Sequence, residues 1–266
     1  MGWTCKRRAA ACADDRLFTI EHGQVRKNVR EQPMELATTL LLILCYGLAA
    51  YLAWSDGTPI YLITLAAGHI SSLVSPLWRV LYGINYDLNL TVVQTLLGQS
   101  VPLPVLIGAG WYYPLPALVV YYLYVTRWWF PTVMTGVITY LALLLYYLLI
   151  ESFGLRANIW AYGAVRMPPG FSAPLLAAIM SALIAYGLLY IVLLNHRSTW
   201  PSMLLVILPA PLLLSLLVHG LLGAPLWIAL LLDGQPWVVL AGLVSTLLLL
   251  IWAGQIITSG IRRLGA

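Results

Sequence analysis

The stretch Gly68-His69-Ile70-Ser71-Ser72-Leu73-Val74-Ser75-Pro76-Leu77-Trp78-Arg79 decides how the chain is interpreted, because it sets polar side chains inside a long apolar segment. A histidine, three serines and an arginine interrupt a pattern that would otherwise dissolve in lipid. Polar groups cost free energy in hydrocarbon, so they usually face the interior of a helix bundle or a water-filled cavity. The stretch therefore marks a candidate functional site within a membrane-spanning helix.

The composition of the chain places the whole protein in a membrane. Of its 266 residues, 61% are hydrophobic and 9% are charged, whereas a soluble domain is about half apolar and about a quarter charged. A hydrocarbon core about 30 Å thick takes about 20 apolar residues per helix. We therefore predict an all-α, polytopic transmembrane helix bundle with about seven spans.

Polar turns separate the predicted spans and divide the chain. The spans cover residues 34–54, 60–82, 101–125, 131–150, 172–194, 202–222 and 237–258. They form one transmembrane helical domain, 34–258, between a basic N-terminal tail, 1–33, and a short C-terminal tail, 259–266.

Two further segments, 90–100 and 224–232, are too short to span a bilayer. We expect the first to form a re-entrant or interfacial helix, which requires burial in protein or a cavity lining. For residues 224–232 an eighth crossing stays open as an alternative, and it would move the C-terminus to the cytosolic side.

Positive charge gives the predicted orientation. The net charge is +5, and residues 1–33 hold seven of the fourteen lysines and arginines. This tail has no apolar h-region, so it is not a secretion signal. With seven spans, ten Lys and Arg lie on the side of the tail and four on the other. The bias predicts a multi-pass cell-membrane protein with a cytosolic N-terminus, and the charge bears on topology rather than on nucleic acid.

Parity predicts where the polar chemistry gathers, because spans two, four and six end on the same, cytosolic face. Glu151 ends a long apolar run. It is either an acid–base group made reactive by burial or a structural charge paired with Arg156. His69 lies deeper, where it is either a catalytic base or a structural hydrogen-bonding residue. His219 is interpreted as structural.

Further polar and aromatic residues near this face are candidates for contact with a substrate. Instead of contacting a substrate, Arg79 could be a positive-inside anchor that snorkels to the interface. Trp160 and Tyr162 could equally belong to the interfacial aromatic belt. Asp87 could be a solvated loop residue. The predicted substrate-binding set is Gln99, Arg156, Asn158, Trp160, Tyr162, Arg79 and Asp87.

Several classes of protein are excluded by missing motifs. The sequence contains no GxSxG, HExxH or histidine-box pattern and no P-loop or GxGxxG, which excludes serine hydrolase, zincin, desaturase and nucleotide-binding interpretations. Span seven has no lysine for a retinal Schiff base. Scattered histidines and cysteines give no metal-ligand spacing, so we predict no metal and no cofactor. The absence of paired broken repeats disfavours a secondary transporter.

Three segments of the second and third spans carry a family resemblance. They are residues 68–77 of the stretch quoted above, Asn85-Tyr86-Asp87, and residues 98–105 with Trp111-Tyr112. Together they resemble multipass proteins of the avermectin-pathway spirocyclase family. The segment from Glu151 to Tyr162 is also similar, more weakly, to membrane carotenoid hydratases.

The resemblance implies acid–base chemistry without a redox cofactor. A spirocyclase closes hydroxyls of a polyketide onto a ketone, and a hydratase adds water to a polyene. Both need one group that gives a proton and one that takes it, in a dry pocket. Glu151 is the predicted acid and His69 the predicted base, with Gln99, Asn158 and Tyr162 orienting oxygen atoms.

The predicted partners are the lipid bilayer and an apolar polyketide or isoprenoid substrate, with no nucleic acid and an undetermined oligomeric state. An interpretation from another class stays open. The chain is alternatively a non-catalytic membrane scaffold, or a lipid-binding subunit of a larger complex, since polar groups are few and Leu and aromatic residues are many.

Overall fold

The computed structural model describes residues 35–86, 90–96, 98–163, 167–168, 170–232 and 235–264. Within these ranges seven helices are long and apolar enough to cross a membrane. They are Glu35–Asp56, Ile60–Tyr82, Leu103–Val125, Val133–Arg156, Ala173–Leu194, Trp200–Leu222 and Pro236–Leu264. The predicted all-α bundle of about seven transmembrane spans is confirmed. The predicted N-terminal tail, 1–33, and Asp87 lie outside the described residues.

Two span boundaries differ from the prediction. The fourth helix continues to Arg156, so Glu151 lies inside the span instead of directly after it. The seventh helix continues to Leu264, so most of the predicted C-terminal tail is helical. In both cases the helix extends past the apolar run because polar residues near a helix end reach the interface and leave the backbone ladder intact.

Prolines divide several spans into consecutive elements. The first span is α1, Glu35–Asp56. The second consists of α2 (Ile60–Ser71), a 3₁₀ turn (Ser72–Val74) and α3 (Ser75–Tyr82), with Pro76 in the first turn of α3. The third consists of α4 (Leu103–Tyr112) and α5 (Pro114–Val125). Proline is tolerated in a first helical turn, where its missing N–H has no helical partner to lose.

Of the remaining spans, only the sixth is divided, and the fourth, fifth and seventh are single helices. The fourth and fifth spans are α6 (Val133–Arg156) and α7 (Ala173–Leu194). The sixth consists of α8 (Trp200–Ile207), α9 (Ala210–Ser215) and a π-helix (Leu216–Leu222). A short α10 (Ala224–Leu231) packs on α11 (Pro236–Leu264), the seventh span. Eight residues of α10 extend about 12 Å, too little to cross a bilayer.

Four short strands lie between the helices in the described part of the chain. β1 (Ile84–Tyr86) pairs antiparallel with β4 (Trp160–Tyr162), and β2 (Val92–Leu96) pairs antiparallel with β3 (Gln99–Pro102). The helix expected over 90–100 is therefore wrong. β-Branched residues in β2 favour a strand, and Gly98, at φ +74°, supplies the left-handed turn between β2 and β3.

The fifth span forms the centre of the bundle. Within the most apolar 18-residue segment of each helix, 78% is buried in α7 and 11% in α1, which lies at the periphery. It packs against α5, α6, α9 and α11. Alanines along α7 let these neighbours approach closely, as small residues do at helix interfaces in membranes.

Two long-range contacts show which span ends meet. The β1–β4 pair joins the end of the second span to the end of the fourth. Tyr82 at the end of the second span contacts His219 near the end of the sixth. We call this end of the bundle the strand face. The opposite end, where α1, α5 and α7 finish, is called the distal face. The even-numbered spans thus end together, as parity predicts.

Candidate acid–base site at the strand face

Glu151 carries a buried carboxyl group at the strand face, with 6% of its surface exposed. Its Oε2 accepts hydrogen bonds from the Trp160 indole Nε1 at 3.1 Å and from the Tyr162 hydroxyl at 2.7 Å. Tyr112 of α4 is a third polar neighbour of this carboxyl group, and its hydroxyl lies 3.3 Å from Ser181 Oγ on α7. Donors directed at a buried carboxyl group hold it in one orientation.

The end of α6 builds this arrangement through its backbone. Asn158 has a left-handed conformation, φ +55°. The N–H of Asn158 donates to the carbonyl of Leu155, and the N–H of Ile159 donates to that of Gly154. This pair of bonds is a Schellman motif, which ends a helix and reverses the chain. Strand β4 therefore returns over the last turns of α6 and presents Trp160 and Tyr162 to Glu151.

Gly154 provides the space for this return. It lies one turn after Glu151 on the same helix face. A methyl group at this position would overlap the indole ring of Trp160. The indole thus packs directly on the α6 backbone, which sets its Nε1 at hydrogen-bonding distance from Glu151.

Tyr162 lies outside the membrane spans and acts as a donor. Burial, and then the adjacent Glu151, raise the pKa of the Tyr162 phenol well above its usual range. The phenol therefore keeps its proton at physiological pH and donates a hydrogen bond to Oε2 of the Glu151 carboxyl group.

The buried histidine that adjoins this cluster is His219. It is 1% exposed and lies in the π-helix of the sixth span. Its Nδ1 is 2.8 Å from the Tyr82 hydroxyl, and the Tyr82 ring meets the Tyr162 ring edge to face at 6.2 Å. The other imidazole nitrogen, Nε2, is buried and has no hydrogen-bond partner among the described residues. Buried polar atoms are nearly always paired, and π-helices are frequent at functional sites.

The sequence led us to interpret His219 as structural. The structure places it in a π-helix with a buried Nε2 that has no hydrogen-bond partner among the described residues. A histidine beside Gly220 in an otherwise apolar run is the sequence signal for it. The π-helix itself has no equivalent signal, because it arises from how the sixth span packs.

The structure does not bring His69 to Glu151. His69 Nδ1 lies 3.2 Å from the Leu106 carbonyl oxygen, and its ring stacks on Tyr46 at 6.0 Å. It also contacts the backbone at Gly110. Across the described chain no hydrogen bond joins the two proposed acid–base groups, because His69 on α2 faces α1 and α4.

The other predicted binding residues fall into two groups. Arg79 of α3 donates to Ser100 Oγ at 2.9 Å and to its carbonyl at 3.2 Å, and lies 5.8 Å from the Tyr86 ring. It thereby ties β3 to α3. Burial raises the pKa of Tyr86 to about 12, although Arg79 opposes the shift. Gln99 is half-buried at the start of β3.

Arg156 and Asn158 form the second group, because both are exposed. Arg156 makes no ion pair with Glu151 within the part of the chain that the structure describes, so a structural charge pair does not account for Glu151. Asn158 acts in the backbone turn that ends α6. No group of three His, Cys, Asp or Glu side chains among the described residues is placed to hold a metal ion.

Comparison with known proteins gives no match: no family model, no curated protein and no solved structure matches the chain. The resemblance to spirocyclases and hydratases therefore stays a prediction that depends on the segments quoted in the sequence.

Proposed function

We propose that this chain is an integral membrane enzyme that uses acid–base chemistry on an apolar polyketide or isoprenoid, by cyclisation or by hydration and dehydration. The observation that carries the proposal is the buried carboxyl group of Glu151, held by Trp160 and Tyr162 at 3.1 and 2.7 Å. A buried and oriented carboxyl group beside apolar walls is a suitable proton donor and acceptor for such a substrate.

The chemistry needs two groups that exchange protons. In spiroketal formation the ketone oxygen gains a proton while a substrate hydroxyl loses one and forms a C–O bond, which gives a hemiketal. The new hydroxyl group is then protonated and leaves as water, and a second substrate hydroxyl adds to the same carbon and loses its proton, so no electron transfer is needed. Glu151 supplies the first proton. Tyr162 and Trp160 are positioning residues, which stabilise the carboxylate that remains. The proton then returns to Glu151 from the group that accepted it.

The second group is a histidine, and there are two candidates. His69 is the candidate from sequence. The geometry favours His219, because Tyr82 bonds to its Nδ1 and packs on Tyr162, and because its Nε2 has no partner among the described residues. In the tautomer that carries its proton on Nδ1, His219 donates to the Tyr82 oxygen, whose own proton is directed to Met180 Sδ at 3.0 Å, and the unprotonated Nε2 then accepts a proton from a substrate hydroxyl.

The test begins with purification of the full chain from membranes and mass spectrometry of co-purifying small molecules. A stoichiometric polyketide or isoprenoid identifies the substrate class for a turnover assay. In that assay Glu151→Gln is expected to lower the rate by about 10²–10⁴-fold. Glu35→Gln, at the start of α1, is the matched control and leaves the rate unchanged.

The histidines are separated by the same assay. His219→Gln is expected to lower the rate by a similar factor, and His69→Gln by much less. Wild-type turnover by Glu151→Gln would overturn the enzyme proposal. Recovery of bulk phospholipid only, with a partner protein at constant ratio, would favour the scaffold instead.

A further inference from the structure

The distal face contains a cleft that is separate from the acid–base site. Its volume is about 610 Å³. The residues that give it its chemistry come from the ends of different spans: Asp56, Thr58, Tyr121, His196, Arg197 and Trp200. Asp56 ends the first span, Tyr121 is in the last turns of the third, and Trp200 begins the sixth. The cleft therefore opens at the level where the bundle meets the lipid head groups.

Two buried tyrosines hold the polar groups of the cleft in place. Tyr61, 1% exposed, donates a hydrogen bond from its hydroxyl group to Asp56 Oδ2 at 2.7 Å. Tyr121, 0% exposed, places its hydroxyl 2.6 Å from His196 Nδ1. The two rings meet edge to face at 5.3 Å. The carboxylate and the imidazole are thus fixed by the core, which is what a preorganised binding site requires.

The cleft carries both signs of charge without pairing them. Asp56 and Arg197 are both exposed, and no ion pair involves either of them among the described residues. Both lie close enough to His196 to act on it electrostatically, in opposite directions. Thr58 Oγ1 is buried in the same lining without a hydrogen-bond partner in the described chain. The Arg197 guanidinium is therefore available to donate hydrogen bonds to a ligand, and the Asp56 carboxylate is available to accept them.

The charge arrangement selects among ligands. A purely anionic ligand on Arg197 would be repelled by Asp56, and a purely cationic ligand on Asp56 would be repelled by Arg197. A ligand with both charges satisfies both side chains. Trp200, 63% exposed at the rim, offers an aromatic face to an ammonium group.

We propose that the distal cleft binds a zwitterionic phosphodiester, with its phosphate on Arg197 and its ammonium group on Asp56. The phosphodiester has two sources, the head group of a bilayer phosphatidylethanolamine and free glycerophosphoethanolamine. The site is independent of the acid–base chemistry, and its test needs no turnover.

The experiment uses the full chain in nanodiscs with equal amounts of phosphatidylethanolamine and phosphatidylglycerol. After transfer to detergent, native mass spectrometry counts the retained lipids. Wild type is expected to retain phosphatidylethanolamine in about tenfold excess. Asp56→Asn removes the partner of the ammonium group and is expected to lower that excess about fivefold, whereas Arg197→Gln removes the partner of the phosphate that both lipids carry and is expected to lower the total amount of retained lipid about fivefold. Arg197→Lys keeps the charge and is expected to retain most of the bound lipid, which separates loss of the site from loss of folding.

Arg127→Gln is the matched control, because Arg127 is an exposed arginine at the same end of the bundle but outside the cleft. It is expected to retain the wild-type preference. A parallel thermal-shift titration with glycerophosphoethanolamine identifies the source. If glycerophosphoethanolamine stabilises wild type and Arg197→Gln abolishes this effect, the ligand is the free aqueous compound. If lipid is retained but glycerophosphoethanolamine gives no stabilisation, the ligand is the bilayer lipid. Equal retention of both lipids by wild type, with no shift, would overturn the proposal, as would an equal loss in Arg127→Gln.

Discussion

Gly154 is the single residue on which the geometry around Glu151 depends most directly. Gly154→Ala would add a methyl group that overlaps the Trp160 indole. Such overpacking costs about 1–3 kcal/mol, which outweighs the gain of up to about 1 kcal/mol in helix propensity. We expect a lower midpoint of thermal unfolding in detergent and a changed Trp fluorescence spectrum.

Gly47→Ala is the control for this substitution. Gly47 lies in α1, and a methyl group added there would have no neighbouring atom within 4 Å, so alanine gains propensity without a clash. It should leave the unfolding midpoint unchanged or raise it. A Gly154→Ala protein as stable as Gly47→Ala would contradict the packing described for Trp160.

His196 gives the stability of the distal face a pH dependence. Burial, and then Arg197, lower the pKa of His196 below 6.5, although Asp56 opposes the shift. The imidazole also faces the Tyr121 hydroxyl and the Tyr124 ring. As pH falls through about 6.5, the unfolded chain binds a proton at this imidazole before the folded chain does. Protonation of His196 therefore has no effect on the free energy of unfolding above that pH and lowers it below that pH.

His196→Gln removes this contribution while its side-chain oxygen still accepts a hydrogen bond from Tyr121. Between about pH 7.5 and about pH 5.5, the unfolding midpoint of wild type is expected to fall further than that of His196→Gln. Contributions from the other histidines are common to both proteins and cancel in the difference. Parallel curves for the two proteins would show that His196 titrates alike in the folded and unfolded chains.

Individual side chains also show where sequence reasoning reaches its limit. Glu151 is recognisable because a carboxylate within an apolar run needs an explanation wherever it lies. The actual surroundings of Glu151 and His69 were not predictable, because contacts between spans depend on helix rotation. The contact between Tyr82 and His219 joins residues far apart in the chain, so no local pattern encodes it.

Among the helices and strands, the end of α6 is the element that shapes the site. Asn158 adopts φ +55° there, a conformation that asparagine and glycine tolerate and β-branched residues do not. Asn158→Val is expected to cost about 1–2 kcal/mol and to loosen β4. Asn158→Gly is expected to be neutral or slightly stabilising.

Thermal unfolding measures the cost, and hydrogen exchange of the amides in β4, Trp160–Tyr162, measures the loosening. Only the valine variant should exchange faster in β4. Because Asn158 is exposed, equal behaviour of the two variants would indicate that the backbone turn does not hold β4.

The same elements explain why most span boundaries were predicted closely, apart from the ends of the fourth and seventh spans, while the interiors of the spans were not. Hydropathy locates an apolar run within a few residues, because length and composition alone decide membrane insertion. The 3₁₀ turn at Ser72–Val74 and the π-helix at Leu216–Leu222 alter backbone hydrogen bonds inside such runs, where composition hardly changes. Residues 90–100 were misassigned because a segment too short to span was expected to form a helix, while Val92 and Val93 favoured a strand.

The topology of the bundle is fixed by whether α10 crosses the membrane. At eight residues α10 is too short to cross, so the number of spans is odd and the two ends of the membrane domain lie on opposite sides. Three exposed positions test this in a background without Cys5, Cys12 and Cys45: Ala161→Cys at the strand face, Ser55→Cys at the distal face and Leu264→Cys at the end of α11.

A membrane-impermeant maleimide should react with Ser55→Cys and Leu264→Cys from one side, and with Ala161→Cys only from the other. The excess of Lys and Arg on the tail side predicts a cytosolic strand face. If that prediction holds, intact cells should label the first two positions, and Ala161→Cys should need permeabilisation. Reaction of Leu264→Cys together with Ala161→Cys would mean an eighth crossing through residues 224–232. In that case the arginine pair at 262 and 263 would join the cytosolic charges, and α11 would run in the opposite direction.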